Sequence, residues 1–324
     1  MSEQELEAKA NQMATDGYAQ GTKTNYNCGW ENFKAVCELY GWQPVPASSR
    51  TLRLYTVHVF QSEPISGRTF DNRILAIKAA HTLMGFTLDT SRPVMPRLYL
   101  MKKAFKTARP PKAQAKAAIT MNVLELMLSK MGDSTLDQRT VRAVITFAYS
   151  GMLRVSEYAY GAKMRNKPRL GNISKLSNEI MVYNFAHSKM NQLAQAEKVV
   201  MCCRCPRACA IHELLAMLRL RQNTKLSDPL FLLSSGRVPN ERDINDWIKT
   251  LCSRCGIEPE LVSSHCLRAG AITDALAAGI ADTVVQCMSR HKNLNSMVPY
   301  KKFSSATAGA VMSEKYRTFD AKSW

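Results

Sequence analysis

Ser264-His265-Cys266-Leu267-Arg268-Ala269-Gly270 opens the stretch that decides the fold, and Ser289-Arg290-His291 and then Tyr300 close it. Apolar spacing predicts helices over 266–278 and 281–289. The three-residue step from His265 to Arg268 puts both on one helical face near the N-terminus, where both can reach an anion. Arg268 and His291 are 23 residues apart, and Tyr300 follows nine residues later. Taken singly, a histidine is ordinarily structural and a tyrosine ordinarily packs; the order and spacing of the set carry the information.

Upstream, Ser150-Gly151-Met152-Leu153-Arg154-Val155-Ser156-Glu157 follows an apolar helix predicted over 136–150. Gly151 permits a close turn, Arg154 can fork two phosphate oxygens, and Glu157 can orient neighbouring groups. Cleaving a phosphodiester needs a nucleophile, cations for the charge on phosphorus-bound oxygens, and an acid for the leaving oxygen. This half of the chain offers all three.

Around these motifs the spacing predicts helices over 121–131, 208–222 and 240–255. The run Ile180-Met-Val-Tyr-Asn-Phe185 and the shorter Lys198-Val-Val-Met201 read as a hairpin. The first hundred residues read as all-helical. Thr22 caps a helix over 22–40 that carries Tyr26, Trp30, Phe33, Cys37 and Tyr40 at steps of three and four and stops at Gly41. Further helices are expected over 51–61, 72–86 and 97–107. Arg109-Pro110-Pro111-Lys112 cannot continue a helix, so the expected division is a helical domain over 1–110 and a larger domain over 111–324. The fold class expected is mainly α with a small antiparallel β-sheet.

The chain of 324 residues carries a formal net charge of +18. Residues 1–118 hold 16 basic and 9 acidic side chains, and residues 119–324 hold 28 and 17. Two basic halves suit a clamp on one polyanion, nucleic acid above all. Between Arg92 and Lys116 there are eight basic residues and no acidic one. Arg92, Lys102, Lys103, Lys106, Arg109 and Lys112 are the candidate DNA-binding residues there, and the linker at about 108–118 reads as a basic strap across the nucleic acid backbone. No apolar run approaches the about 18 residues of a membrane span, and the polar start, Met1 to Ala10, does not resemble a signal peptide. A soluble intracellular protein with no membrane partner is expected.

Arg154-x-x-Glu157, His265-x-x-Arg268, His291 and Tyr300 together resemble the signature of the tyrosine recombinase (phage integrase) family. The motifs span residues 145–303; the two-domain plan extends the likeness over the chain. The resemblance implies a helical core-binding domain ahead of an α+β catalytic domain, acting on double-stranded DNA as a homo-oligomer that is tetrameric in the synapse. By the same resemblance Arg154 and Arg268 clamp the scissile phosphate, His265 assists proton transfer, His291 donates to a non-bridging oxygen, and Tyr300 attacks phosphorus. The family's general acid is a lysine of a β-hairpin, which maps to Lys189, with Lys198 as runner-up. No cofactor and no metal are expected for this chemistry.

Two departures stand out. Arg290 occupies the place of a small residue before the histidine, where it could add a phosphate contact. Arg268-Ala269-Gly270-Ala271 and Asp228-Pro229-Leu230-Phe231 look like strings of crypton and DIRS-type mobile-element recombinases, which would place the protein in a nucleus; otherwise it belongs in the cytoplasm or nucleoid. Two alternatives remain open: a type IB topoisomerase-like enzyme with the same chemistry and no synapsis, and a domesticated DNA-binding protein without cleavage. Cys202, Cys205, Cys209 and His212 have the spacing of four zinc ligands. Against this, the last two start an amphipathic helix whose Ile211, Leu214, Leu215 and Leu218 face the core, so plain reduced thiols are expected. The tail over 304–317 is modestly amphipathic and suits docking on a neighbouring protomer or on its own domain.

Overall fold

The computed structural model describes residues 1–110, 117–161, 167–185 and 197–300. The chain divides into two compact units, Met1–Gln114 and Ala115–Trp324. The first is five helices, α1 (Glu3–Asp16), α2 (Gln20–Leu39), α3 (Ser49–Ser62), α4 (Gly67–Leu83) and α5 (Pro96–Ala108). Ser48 and Ser66 cap α3 and α4 by accepting the backbone N–H of Thr51 and Thr69, and Pro96 starts α5 where its missing N–H has no cost. Phe33, Leu52, Tyr55, Phe70, Ile77 and Phe105 meet in its core.

Helix α2 begins two residues before Thr22 and has no side-chain cap. Gly41 does mark its end, at φ 65°, where a residue without Cβ meets no steric penalty. Helix α1 was not expected from spacing. It buries no residue and has no apolar stripe; its signal is the capping box between Ser2 and Glu5.

The second unit packs α6 (Met121–Ser129), α7 (Leu136–Ser150), the short α8 (Val155–Tyr158), α9 (Ala210–Arg219), α10 (Glu241–Arg254), α11 (His265–Ala277) and α12 (Asp282–Ser289) with one sheet. Helix α7 is the axis. Nearly all of its last three turns are buried, from Thr140 to Ser150. The sheet is antiparallel in the order β1 (Ile173–Leu176), β2 (Ile180–Phe185), β3 (Glu197–Cys202). Strands β2 and β3 pair from Ile180 with Cys202 to Phe185 with Glu197, so the expected hairpin is present. Strand β1 was not anticipated, since four residues with one bulge leave too short a pattern to read. No helix among the described residues is long and apolar enough to cross a membrane.

Helix α11 is fastened to the segment before α6. Ile119 donates its N–H to Cys266 O at 3.1 Å, and Met121 donates to the Asp274 carboxylate at 2.6 Å. The approach is so close that a Cβ on Gly270 would lie 1.7 Å from Ile119 O. Gly270→Ala must therefore push α11 off this segment. We expect a loss of about 3 kcal/mol, at the upper end of overpacking costs, read as a lower urea midpoint at unchanged slope.

Candidate active site

Two helix ends create the frame. After α7 the chain turns through Met152 at φ 47°, and after α12 through Arg290 at φ 56°. In both, the next residue's N–H reaches back five residues: Leu153 to Ala148 O at 2.9 Å, and His291 to Gln286 O at 3.1 Å. These are left-handed helix terminations made by residues other than glycine, at about 1–2 kcal/mol each. The left-handed position in the first turn is Met152, while Gly151 allows the close approach, since a Cβ there would lie 2.6 Å from the Met201 side chain.

Arg268 lies between these two ends. Its side chain is fully buried, and its guanidinium donates to the carbonyls of Met152 and Ser289. The negative ends of two helix dipoles thus face the cation. Burial, then Arg154, pull its pKa down to about 9, so it stays charged at neutral pH. Its Nε has no hydrogen-bond partner among the described residues, leaving a buried donor for an anion.

Arg154 caps α8 and donates to Glu157 Oε1 and to Arg290 O, both at 3.0 Å. Glu157 is fully buried and also receives Arg290 at 2.8 Å. Strand β2 braces this short helix, since Tyr183 donates its hydroxyl to Glu157 O at 2.7 Å. Glu157 is thus the keystone between two arginines, which its sequence position only hinted. Glu157→Gln keeps the shape and removes the charge. We expect it to cost about 3 kcal/mol, measured by denaturant unfolding; an unchanged midpoint would mean that the arginines do not need this carboxylate.

His291 sits beside Arg268, whose Nη2 is 3.5 and 3.3 Å from its two ring nitrogens. Near-equal distances describe a cation set against the ring, not aimed at one nitrogen. Ser289 Oγ lies 2.7 Å from Nδ1 and orients the ring; sequence reading missed this partner, which only the helix-end turn brings under the histidine. Burial first, then Arg268 and Arg154, push the His291 pKa down to about 4. The imidazole is neutral at pH 7.

A 3₁₀ turn over Leu294–Tyr300 delivers the tyrosine. Tyr300 Oη is 3.3 Å from Nε2 of His265, the first residue of α11, and its ring centroid is 5.9 Å from that of His291. The fold therefore brings Arg154 and Glu157 together with His265, Arg268, His291 and Tyr300 from two separate stretches of the chain.

The remaining candidates divide. Arg290, expected to face phosphate, turns inward: it donates to Gly151 O, Met288 O and Met152 O as well as to Glu157. The absence of a small residue is thus compensated by a buried strut. Lys189 and Lys112 lie outside the described residues, as does the tail over 304–317. The runner-up Lys198 is exposed on β3. In the first unit Lys103 is exposed, Lys102 and Lys106 pair with Asp71, and Arg92 lies over the Tyr99 ring at 5.8 Å. Arg109 is turned onto its own domain, donating to Phe60 O and Glu63 O.

Residues 118–306 match the sequence profile of the phage integrase family. Among solved structures, the fold is similar to the Tn1549 transposon integrase in complex with transposon right end DNA, with a TM-score of 0.62 and 16% identity over 96% of this chain and 98% of that one. It is also similar to the XerH site-specific recombinase in a post-cleavage complex with a palindromic difH substrate, with a TM-score of 0.61 and 15% identity over 90% and 77%. No curated protein matches significantly. The mainly α architecture with a small antiparallel sheet is thus the fold expected from the sequence.

Proposed function

This chain belongs to the phage integrase family, and from that premise we propose that it cleaves and rejoins double-stranded DNA as a site-specific recombinase, with Tyr300 as nucleophile. The observation that carries the proposal is the meeting of Tyr300 Oη with His265 at 3.3 Å beside Arg154, Arg268 and His291.

In the proposed step the Tyr300 oxygen bonds to phosphorus, the bond from phosphorus to the 5′-oxygen breaks, and a 3′-phosphotyrosine and a free 5′-hydroxyl remain. His265 takes the phenolic proton. Arg268 and Arg154 hold the non-bridging oxygens, using donors already anchored against helix ends and Glu157. His291, neutral and oriented by Ser289, donates to one of those oxygens. Lys189 would protonate the leaving oxygen. The reverse of these moves joins a new 5′-hydroxyl, so ligation needs no ATP. Tyr300 lies beside the His265 of its own chain, which supports delivery within one subunit.

That relatives act on DNA, as transposon right end or difH complexes, together with the +18 charge, supports DNA as the partner. Strand exchange in a tetramer distinguishes this reading from relaxation by a monomer. A narrower place among crypton and DIRS-type elements, with a nuclear location, is supported by two short strings alone. Packing accounts for both, since Gly270 meets Ile119 O and Leu230 and Phe231 are fully buried.

The test is a pool of nicked duplexes of randomised sequence incubated with the full chain. A covalent protein–DNA adduct that survives denaturant is expected, in a buffer with no added divalent metal. Absence of any adduct, or a strict need for added magnesium, would overturn the proposal.

A further inference from the structure

Away from the residues assigned to strand cleavage, the turn between β3 and α9 gathers three sulfurs and one imidazole. The ligand atoms of Cys203, Cys205, Cys209 and His212 all lie within 4.8 Å of one another. His212 Nδ1 is the common point, 3.7 Å from Cys203 Sγ, 3.3 Å from Cys205 Sγ and 3.3 Å from Cys209 Sγ. The sulfurs of Cys203 and Cys209 are 3.9 Å apart. All four side chains come from ten consecutive residues, the last of them in the first turn of α9, and the three thiols are free.

The three separations to His212 and the one between Cys203 and Cys209 match the edges of a metal tetrahedron. Bonds of about 2.3 Å to sulfur and about 2.0 Å to nitrogen put sulfurs about 3.8 Å apart and sulfur about 3.5 Å from nitrogen. A disulfide would need two sulfurs about 2.05 Å apart and would leave the remaining thiol and imidazole without a reason to converge. The turn is held independently of these four residues. Arg207 donates to both carboxylate oxygens of Glu125 on α6, at 3.0 and 2.8 Å, and Ala208 N donates to the same carboxylate at 3.3 Å. Glu213, the residue after His212, pairs with Arg142 on α7 at 2.7 Å.

We propose that Cys203, Cys205, Cys209 and His212 form a structural zinc site that fastens the end of β3 to the start of α9. Three thiolates and an imidazole are a borderline-soft set that selects zinc over magnesium or calcium. Four protein ligands fill the tetrahedron and leave no position for substrate, which separates a structural site from a catalytic one. The metal takes no part in strand cleavage. It closes the turn between the sheet that braces Glu157 and the helix that packs along α7. This departs from the expectation of plain thiols, and its first ligand is Cys203, not Cys202. Alternation along β3 explains the difference: Cys202 is the last paired residue and points outward, exposed.

The experiment measures metal in the full chain purified under reducing conditions without chelator, followed by exchange with cobalt. One zinc per chain is expected, and the cobalt form should show tetrahedral ligand-field bands with thiolate charge transfer. Cys203→Ser should lower zinc affinity at least tenfold, while Cys202→Ser should keep one zinc per chain. A wild-type chain that takes up no metal when zinc is supplied would overturn the site. So would zinc lost in Cys202→Ser and kept in Cys203→Ser. Because the readout is bound metal, failure here leaves the DNA-cleavage proposal standing, and an inactive Tyr300→Phe chain should still hold its zinc.

Discussion

Tyr300→Phe is expected to abolish the covalent protein–DNA adduct while leaving the fold and DNA binding in place. The substitution removes one hydroxyl, bonded to His265 at 3.3 Å, and keeps the ring beside His291. Stability should change by less than about 1 kcal/mol, the net value of one partly exposed hydrogen bond. Adduct formation should fall by at least about 10⁴-fold, because no other group replaces a lost nucleophile in a covalent mechanism. That corresponds to about 5.5 kcal/mol of barrier. Adduct yield on denaturing gels and affinity by mobility shift separate the two effects. Equal adduct in both proteins would end the assignment, and equal loss of binding would mean that Tyr300 holds the fold.

Arg268 carries the second large effect, and it acts on two properties at once. Its guanidinium bridges Met152 O and Ser289 O across two helix ends, so truncation removes a charged donor from both carbonyls and leaves Met152 O to Arg290. Arg268→Ala should cost about 3 kcal/mol, at one to three per unsatisfied group, or on the order of 10 °C in melting temperature. It also removes a fixed cation from the phosphate, worth about 10³-fold or more in comparable phosphoryl-transfer sites. Arg268→Lys separates the two. A lysine retains the charge but presents one point of donors where the site needs a planar fork. It should stay folded at ordinary temperature and still form adduct about 10²-fold slower. Full adduct rate in either variant would remove Arg268 from the chemistry.

The large elements were legible because local chemistry specifies them. The boundaries of α7 coincide with the expected 136–150, and β2 with the expected 180–185. In each, one face is continuously apolar and period alone assigns it. Helix α1 has no such face, and β1 is four residues long; neither has a hydrophobic pattern to read.

The site residues were legible for a different reason. His265, Arg268, His291 and Tyr300 occupy one short stretch with fixed spacing, and the fold needs only two helices and a turn to bring them together. Arg154 and Glu157 joined them through motif order, since nothing local states that α8 would meet α12. What spacing could not supply was orientation. Arg290 looked like a phosphate ligand because it is a cation next to the site. Its backbone sits in a left-handed helix end that aims the side chain back at Glu157. Spacing pointed to Cys202 as the first candidate ligand, but strand alternation leaves it exposed, and Cys203 joins the cluster instead.

By itself, then, the sequence determined which residue types are available, which segments bury a face, and the order in which the chemistry-bearing groups occur. Those properties depend on neighbours within a few turns of chain. The tertiary structure alone decided that Arg268 lies buried between the ends of α7 and α12, that one carboxylate holds two arginines, that Ser289 orients His291, and that Tyr300 reaches His265. Each of these depends on backbone dihedrals at a helix end, where a single left-handed residue redirects everything after it. Such a residue, Met152 or Arg290 here, carries no signature in its side chain.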